Sequence, residues 1–446
     1  MQYTPYRTAL QRSRFWKAIS VTLFLLGAPT FCRADDAQVL PKGIFRAFVD
    51  GNFYLPIHRR YNPDGKSEPL ATDFNATLNS NVFRALAPLD PFVPGLPSIG
   101  DSKVSFTYDV QTVDFGFQYG LTDRITVGVK VPYWNFRNKV KAEVNSGVGS
   151  SANVGKNPFF ACGSPICPLA VPGTTRLTTE DVQNLLGRGL DVNGDGIIDV
   201  RGFNYKRFQS WNSNGLSDVE AGLRYQYFKS EDWRLAAGTG VRFPTGRVDD
   251  VDNLTDYAFG SGAYALLFSL QHDYFLSNLW KAKPPIPLVE GADTFEAGDL
   301  VLNGTFRYNL VLPDTQTKRV PGDVNSPITA NKEVVNRDLG DVFEFETAAK
   351  YGLWEGLTLS GLYRYTFKNK DNVSGNKGFV YKSLEDETNS TSHIYVFGLQ
   401  YSTIPLYRQQ KFPIPMAASF SYRNRFAGSN NVLRNQYFGF ALNLFF

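Results

Sequence analysis

Beyond Ala28 the sequence lacks any long apolar run. A helix needs ~20 consecutive apolar residues to cross a bilayer, so helical spans are excluded over that length. Cysteine is nearly absent: Cys32, Cys162 and Cys167 are the full set. That excludes a disulfide-dense scaffold and a multi-thiolate metal site. Histidine is as scarce, at His58, His272 and His393. None stands in a nucleophile setting such as G-x-S-x-G, and there is no phosphate loop or metalloprotease helix. His272-Asp273 falls at a strand end among apolar residues, a structural position rather than half of a triad. No catalytic residue is therefore expected.

Net positive charge is also lacking once the first residues are set aside. Arg7, Arg12, Arg14 and Lys17 precede the short apolar run Ala18 to Ala28, and small residues lead to Cys32-Arg33-Ala34. That layout is a secretory signal peptide, with cleavage expected after Ala34 and residues 35–446 as the mature chain. A membrane anchor would need a longer run, and bulky Phe31 argues against lipidation of Cys32. Removing the leader's five cations takes the formal charge from +4 to −1. A near-neutral chain without a basic aromatic patch excludes nucleic-acid binding.

What is abundant is aromatic: 15% of the residues, while the mean hydropathy stays at −0.25. Such a balance suits alternating strands with aromatic girdles. The chain ends on YFGFALNLFF, where Phe438, Phe440, Leu442, Leu444 and Phe446 share one strand face. The other face, from Tyr437 to Phe445, is smaller and mixed. One apolar face toward lipid and one mixed face toward a lumen is the pattern of a transmembrane barrel strand.

The clearest hairpin is Val113 to Tyr133. Val113, Phe115, Phe117 and Tyr119 alternate with polar or small residues, Gly120 to Asp123 turn the chain, and Ile125, Val127, Val129 and Val131 resume. Upstream, Phe106, Tyr108 and Val110 fall on even positions. Either a bulge near Gln111-Thr112 restores the lipid face, or that part lies beyond the membrane. The alternation recurs over 219–227, 233–243, 257–273, 297–312, 340–351, 356–368, 390–403, 414–426 and 434–446. With a strand near 44–56 this gives about twelve strands: an all-β fold, a transmembrane antiparallel up-and-down β-barrel. Short turns fall on one side and long connections on the other, as periplasmic turns and extracellular loops do. The longest is an insert over 138–216. Two connections, 274–296 and 404–413, are long on the short side.

Three stretches resemble a known family: QYGLTDRITVGVKVPY, GLSDVEAGLRYQYF and GVRFPTGRVDDVDNLTDYAFGSGAYALLF. They resemble Gram-negative outer-membrane proteins of the putative meta-pathway phenol degradation, or MetA-like, transporter family. The motifs span roughly Val113–Val131 and Asn214–Leu270, a minority of the chain. The resemblance implies an outer-membrane barrel passing small hydrophobic or aromatic compounds.

Inward positions carry charge. The expected lumen set is Arg46, Asp50, Glu220, Arg224, Arg234, Arg242, Arg307, Glu344, Glu346, Lys350, Arg364, Lys368, Arg423 and Arg425. These residues either tune a conduit or pair with one another to brace a narrow barrel. Cys162 and Cys167 are expected to form a disulfide in an oxidising envelope. DVNGDGIID places Asp191, Asn193, Asp195, Ile197 and Asp199 at the first, third, fifth, seventh and ninth positions of an EF-hand calcium loop. The twelfth position is Gly202, so a structural Ca²⁺ would need another carboxylate, such as Asp181. Expected partners are outer-membrane lipid and lipopolysaccharide, a small solute, and the barrel-assembly machinery reading the C-terminal Phe446. A passive channel is the leading expectation. A structural or surface-binding barrel acting through its loops is the alternative, and an outer-membrane lipase or protease is least favoured.

Overall fold

The computed structural model describes residues 36–281, 295–323 and 328–446. The expected leader and residues 282–294 of the long connection 274–296 lie outside these residues. Among the described residues twelve strands run up and down: β1 (Phe45–Tyr54), β2 (Ser98–Thr122), β3 (Ile125–Asn145), β4 (Val219–Lys229), β5 (Trp233–Phe243) and β6 (Ala265–Phe275), then β7 (Leu300–Val311), β8 (Val342–Trp354), β9 (Leu357–Lys368), β10 (Ser390–Ser402), β11 (Met416–Gly428) and β12 (Gln436–Phe445). Each pairs antiparallel with the next, and β12 pairs with β1, so no barrel edge is left open. Closure satisfies the backbone donors and acceptors that an open sheet would leave to lipid. The last residue takes part: the Phe45 N–H donates to the Phe446 carbonyl at 2.7 Å.

Alternation sets the two faces. Phe117, Phe397 and Phe440 are 60%, 59% and 52% exposed on the outside. Asp50, Gln271, Glu346 and Arg425 point inward and are buried. An apolar girdle around a polar interior is the inverse of a water-soluble barrel. No membrane-length apolar helix occurs among the described residues.

The phase slip near Gln111-Thr112 is not a bulge. β1 and β3 both keep continuous register with β2 through that point. β2 and β3 instead extend past the girdle, and the inward apolar residues there meet loop residues. Tyr108, Trp134 and Phe136 pack with Ile57, Tyr257, Phe259 and Leu433. Phe136 stacks on Tyr257 with ring centroids 5.0 Å apart. Two expected boundaries shift accordingly. β6 begins at Ala265 rather than near 257, because Tyr257 and Phe259 are drawn into this cluster. The insert expected from 138 begins after Asn145, since β3 continues that far and Trp211–Leu216 returns to pair with it.

The long loops fold as a cap with its own core. Leu78, Phe83, Leu89, Leu177, Leu185 and Ile328 belong to one buried cluster. Arg319 ties its parts: it donates to the Phe203, Asn204 and Thr329 carbonyls at 2.8, 2.8 and 2.7 Å and to Asp252 at 2.6 Å. Cys162 and Cys167 are joined by a disulfide in this region.

The lumen as candidate functional site

β3, β4 and β5 build one wall of the lumen in rows, because directly opposed strand residues share a face. The row nearer the cap is Lys130, Glu220 and Arg242, with Glu220 opposite both cations. Its oxygens lie 2.7 Å from Lys130 and 2.7 Å from Arg242. The next row is Gly128, Gly222 and Gly240. The third is Thr126, Arg224 and Gly238, continued by Ser269 on β6, Arg307 on β7 and Glu344 on β8. Arg307 reaches Glu344 at 3.1 Å and Glu346 at 3.4 Å, and Arg364 reaches Glu346 at 2.5 Å.

Of the expected lumen set, Arg46, Glu220, Arg224, Arg242, Arg307 and Glu344 border one cavity, and much of the set is paired. Lys350 meets Asp36 at 2.9 Å. Lys368 bonds Asp371 and the Thr388 carbonyl. Arg46 lies over Phe48, Arg234 over Phe275 and Arg423 over Tyr437. Arg425 is 2% exposed and donates to the Leu433 carbonyl at 3.2 Å. Asp50 stands opposite Asp114. Paired buried charges brace geometry, and breaking one pair leaves a costly orphan.

Residues 36–41 were missed by sequence reasoning. They run into the lumen at its short-turn end. The Ala37 N–H donates to both Asp273 carboxylate oxygens at 3.1 Å. Gln226 donates to the Ala37 carbonyl at 2.8 Å, Arg224 to the Gln38 carbonyl at 3.3 Å, and the Leu40 N–H to Thr126 Oγ1 at 2.7 Å. Gly120 admits the strap, since a Cβ there would fall 1.9 Å from the Pro41 carbonyl oxygen. Local pattern could not reveal this, because each partner lies far along the chain. The inward glycines were legible in principle: Gly128, Gly222, Gly238 and Gly240 occupy the same parity as Lys130, Glu220 and Arg242.

Above the strap lies a chamber of about 250 Å³. Gln38 and Leu40 floor it, Arg242 and Arg307 flank it, and the glycine row forms part of its wall.

The turn from Asp191 is held by its own backbone. Asp191 accepts from the Gly194 and Gly196 N–H groups at 2.7 and 2.8 Å, Asp195 from Ile197 at 2.8 Å, and Asp199 from Val192 at 2.7 Å. Asn193 bonds Asp195 at 3.0 Å. Asp181 is engaged elsewhere, 2.9 Å from Lys156 and closing a capping box with Thr178. Among the described residues no three His, Cys, Asp or Glu side chains gather as a metal cluster. Of the histidines, His272 stacks on Trp233 and His393 lies 2.7 Å from the Tyr363 hydroxyl.

No family model matches this sequence, and no curated protein matches it. Solved structures do overlap it in part. A COG4313 outer membrane channel from Pseudomonas putida F1 is 11% identical, over 93% of this chain and 99% of that one, with a TM-score of 0.46. The Ralstonia pickettii toluene transporter TbuX is 11% identical, over 92% of each chain, with a TM-score of 0.34. A Pseudomonas aeruginosa FadL homologue is 9% identical, over 91% and 90%, with a TM-score of 0.31.

Proposed function

We propose that this chain is an outer-membrane barrel that passes small molecules passively, with residues 36–41 closing its periplasmic end. One observation carries the reading: a polar, charged interior with a chamber in it, enclosed by strands whose outer faces are apolar. A barrel serving as an anchor alone has no need of a lined cavity, whereas polar lining groups are what tune passage through a pore. The finer assignment, to the MetA-like family and to hydrophobic or aromatic solutes, rests on the strand-and-turn motifs of Val113–Val131 and Asn214–Leu270. Phe446, closing the β12 apolar face, suits recognition by the barrel-assembly machinery, and the girdle suits contact with lipid and lipopolysaccharide.

The folded cap favours a second reading, a barrel that binds through its loops, because a mere set of linkers would not bury a core of its own. Swelling of liposomes holding the purified barrel separates the two. Size-dependent uptake of small solutes supports the channel. Barrels that insert but pass nothing, whatever solute is used, would favour the binding role.

A further inference from the structure

The chamber has a stretch of wall without side chains. Gly128, Gly222 and Gly240 face one another across three strands. A Cβ at Gly222 would stand 2.6 Å from the Thr239 carbonyl oxygen, and one at Gly240 2.7 Å from that of Ala221. Only glycine fits at Gly222 and Gly240, and the bare backbone leaves a flat recess. Charged rows border it on both sides: Lys130, Glu220 and Arg242 toward the cap, Arg224 and Arg307 toward the strap. The space suits one ring, since a cavity of roughly 150 Å³ can hold benzene.

Charge selects further. Five cationic side chains line the chamber against three carboxylates, Asp36, Glu220 and Glu344, and a fourth, Glu346, lies 3.4 Å from Arg307. Glu220 alone sits between Lys130 and Arg242, so that row keeps a net positive charge. A cationic excess lining a cleft draws anions. Guanidinium forks match carboxylate geometry in particular.

We propose that the recess binds a small planar monocarboxylate, its ring against the glycine row and its carboxylate between the Arg224 and Arg242 guanidinium groups. The inference names a solute class for the lumen read above as a channel, and so rests on that reading.

Calorimetry on the full mature barrel in detergent tests it with benzoate, its uncharged amide benzamide, and inorganic phosphate. Benzoate is expected to bind, benzamide at least tenfold more weakly, and phosphate not to displace benzoate at equal concentration. Gly128→Leu fills the recess against the flexible Gln118 side chain, its nearest neighbour at 2.8 Å. Arg224→Gln removes one cation. Each is expected to weaken benzoate at least tenfold in barrels that keep the gel mobility of folded protein, and Arg224→Gln carries the test if the glycine variant does not fold. No benzoate binding to folded barrel would overturn the proposal. So would equal binding of benzamide, displacement by phosphate, or folded variants that bind as the parent does. Failure here is separable from failure of the channel reading. A barrel that conducts small ions yet ignores benzoate refutes this site alone. One that binds benzoate and never conducts refutes the channel alone.

Discussion

The Asp36 carboxylate lies 2.9 Å from the Lys350 ammonium on β8, joining positions 314 residues apart inside the lumen. Both side chains are largely buried. With Asp273 holding the Ala37 N–H, this pair pins residues 36 and 37 to the barrel wall. Removing one partner of a buried pair costs roughly 3–5 kcal/mol. Lys350→Met is therefore expected to release the strap while the barrel stays folded. Hydrogen exchange of residues 36–41 checks it: protection should fall there and persist along β7 to β9.

Glu220 is the carboxylate between Lys130 and Arg242. Glu220→Gln leaves both cations without it and makes the chamber more positive. In a conducting barrel the reversal potential under a KCl gradient is expected to move toward that of chloride. An unmoved or cation-ward potential would show that ions do not pass this row.

The outward face offers a test of the surrounding medium. Phe397 is largely exposed near the middle of β10. In water a lysine there would cost little. Against acyl chains it is expected to cost about 2–4 kcal/mol. Urea titration of Phe397→Lys in lipid vesicles against the parent reads the difference.

The cap carries an acid-sensitive clasp. Burial pushes the Asp252 carboxyl up, but hydrogen bonds from Lys332 and Arg319 and their charges outweigh it and hold it below the ordinary value. Asp181 behaves alike: burial raises it, while the Thr178 N–H and hydroxyl and the Lys156 ammonium bring it down. A carboxyl lowered on folding contributes stability that is present above its unfolded value, about 3.9 for aspartate. That contribution is lost as pH falls through the lowered folded value. Proteolysis by pepsin, which works in acid, is expected to cut the cap increasingly as pH drops below about 4, with the barrel strands spared. Arg319→Ala should loosen the same loops at neutral pH, because the Phe203 and Thr329 carbonyls lose a buried donor, which costs about 1–3 kcal/mol for each group left unsatisfied.

How far the sequence speaks depends on whether a residue's neighbours are local. The girdle was legible because Phe438, Phe440 and Leu442 repeat at the period of a strand. The inward parity of Glu220, Arg224 and Arg242 followed from the same rule. The Cys162–Cys167 pair was legible because both ends lie in one short loop. Tyr108 shows where the rule runs out. Its parity was plain, but which medium lay inside at that height depended on Tyr257 arriving from a distant loop. The strap was invisible for the same reason. Ala37 carries no pattern that names Asp273, and their contact exists only once the barrel has closed around it.

The most direct test is the single-channel conductance of the purified barrel in planar bilayers, compared with a form in which residues 36–41 are deleted. The expected result is a low or flickering conductance for the parent and a larger, steadier one for the deletion. Identical traces from the two, with both shown to be folded and inserted, would contradict the claim that this segment closes a path for small molecules.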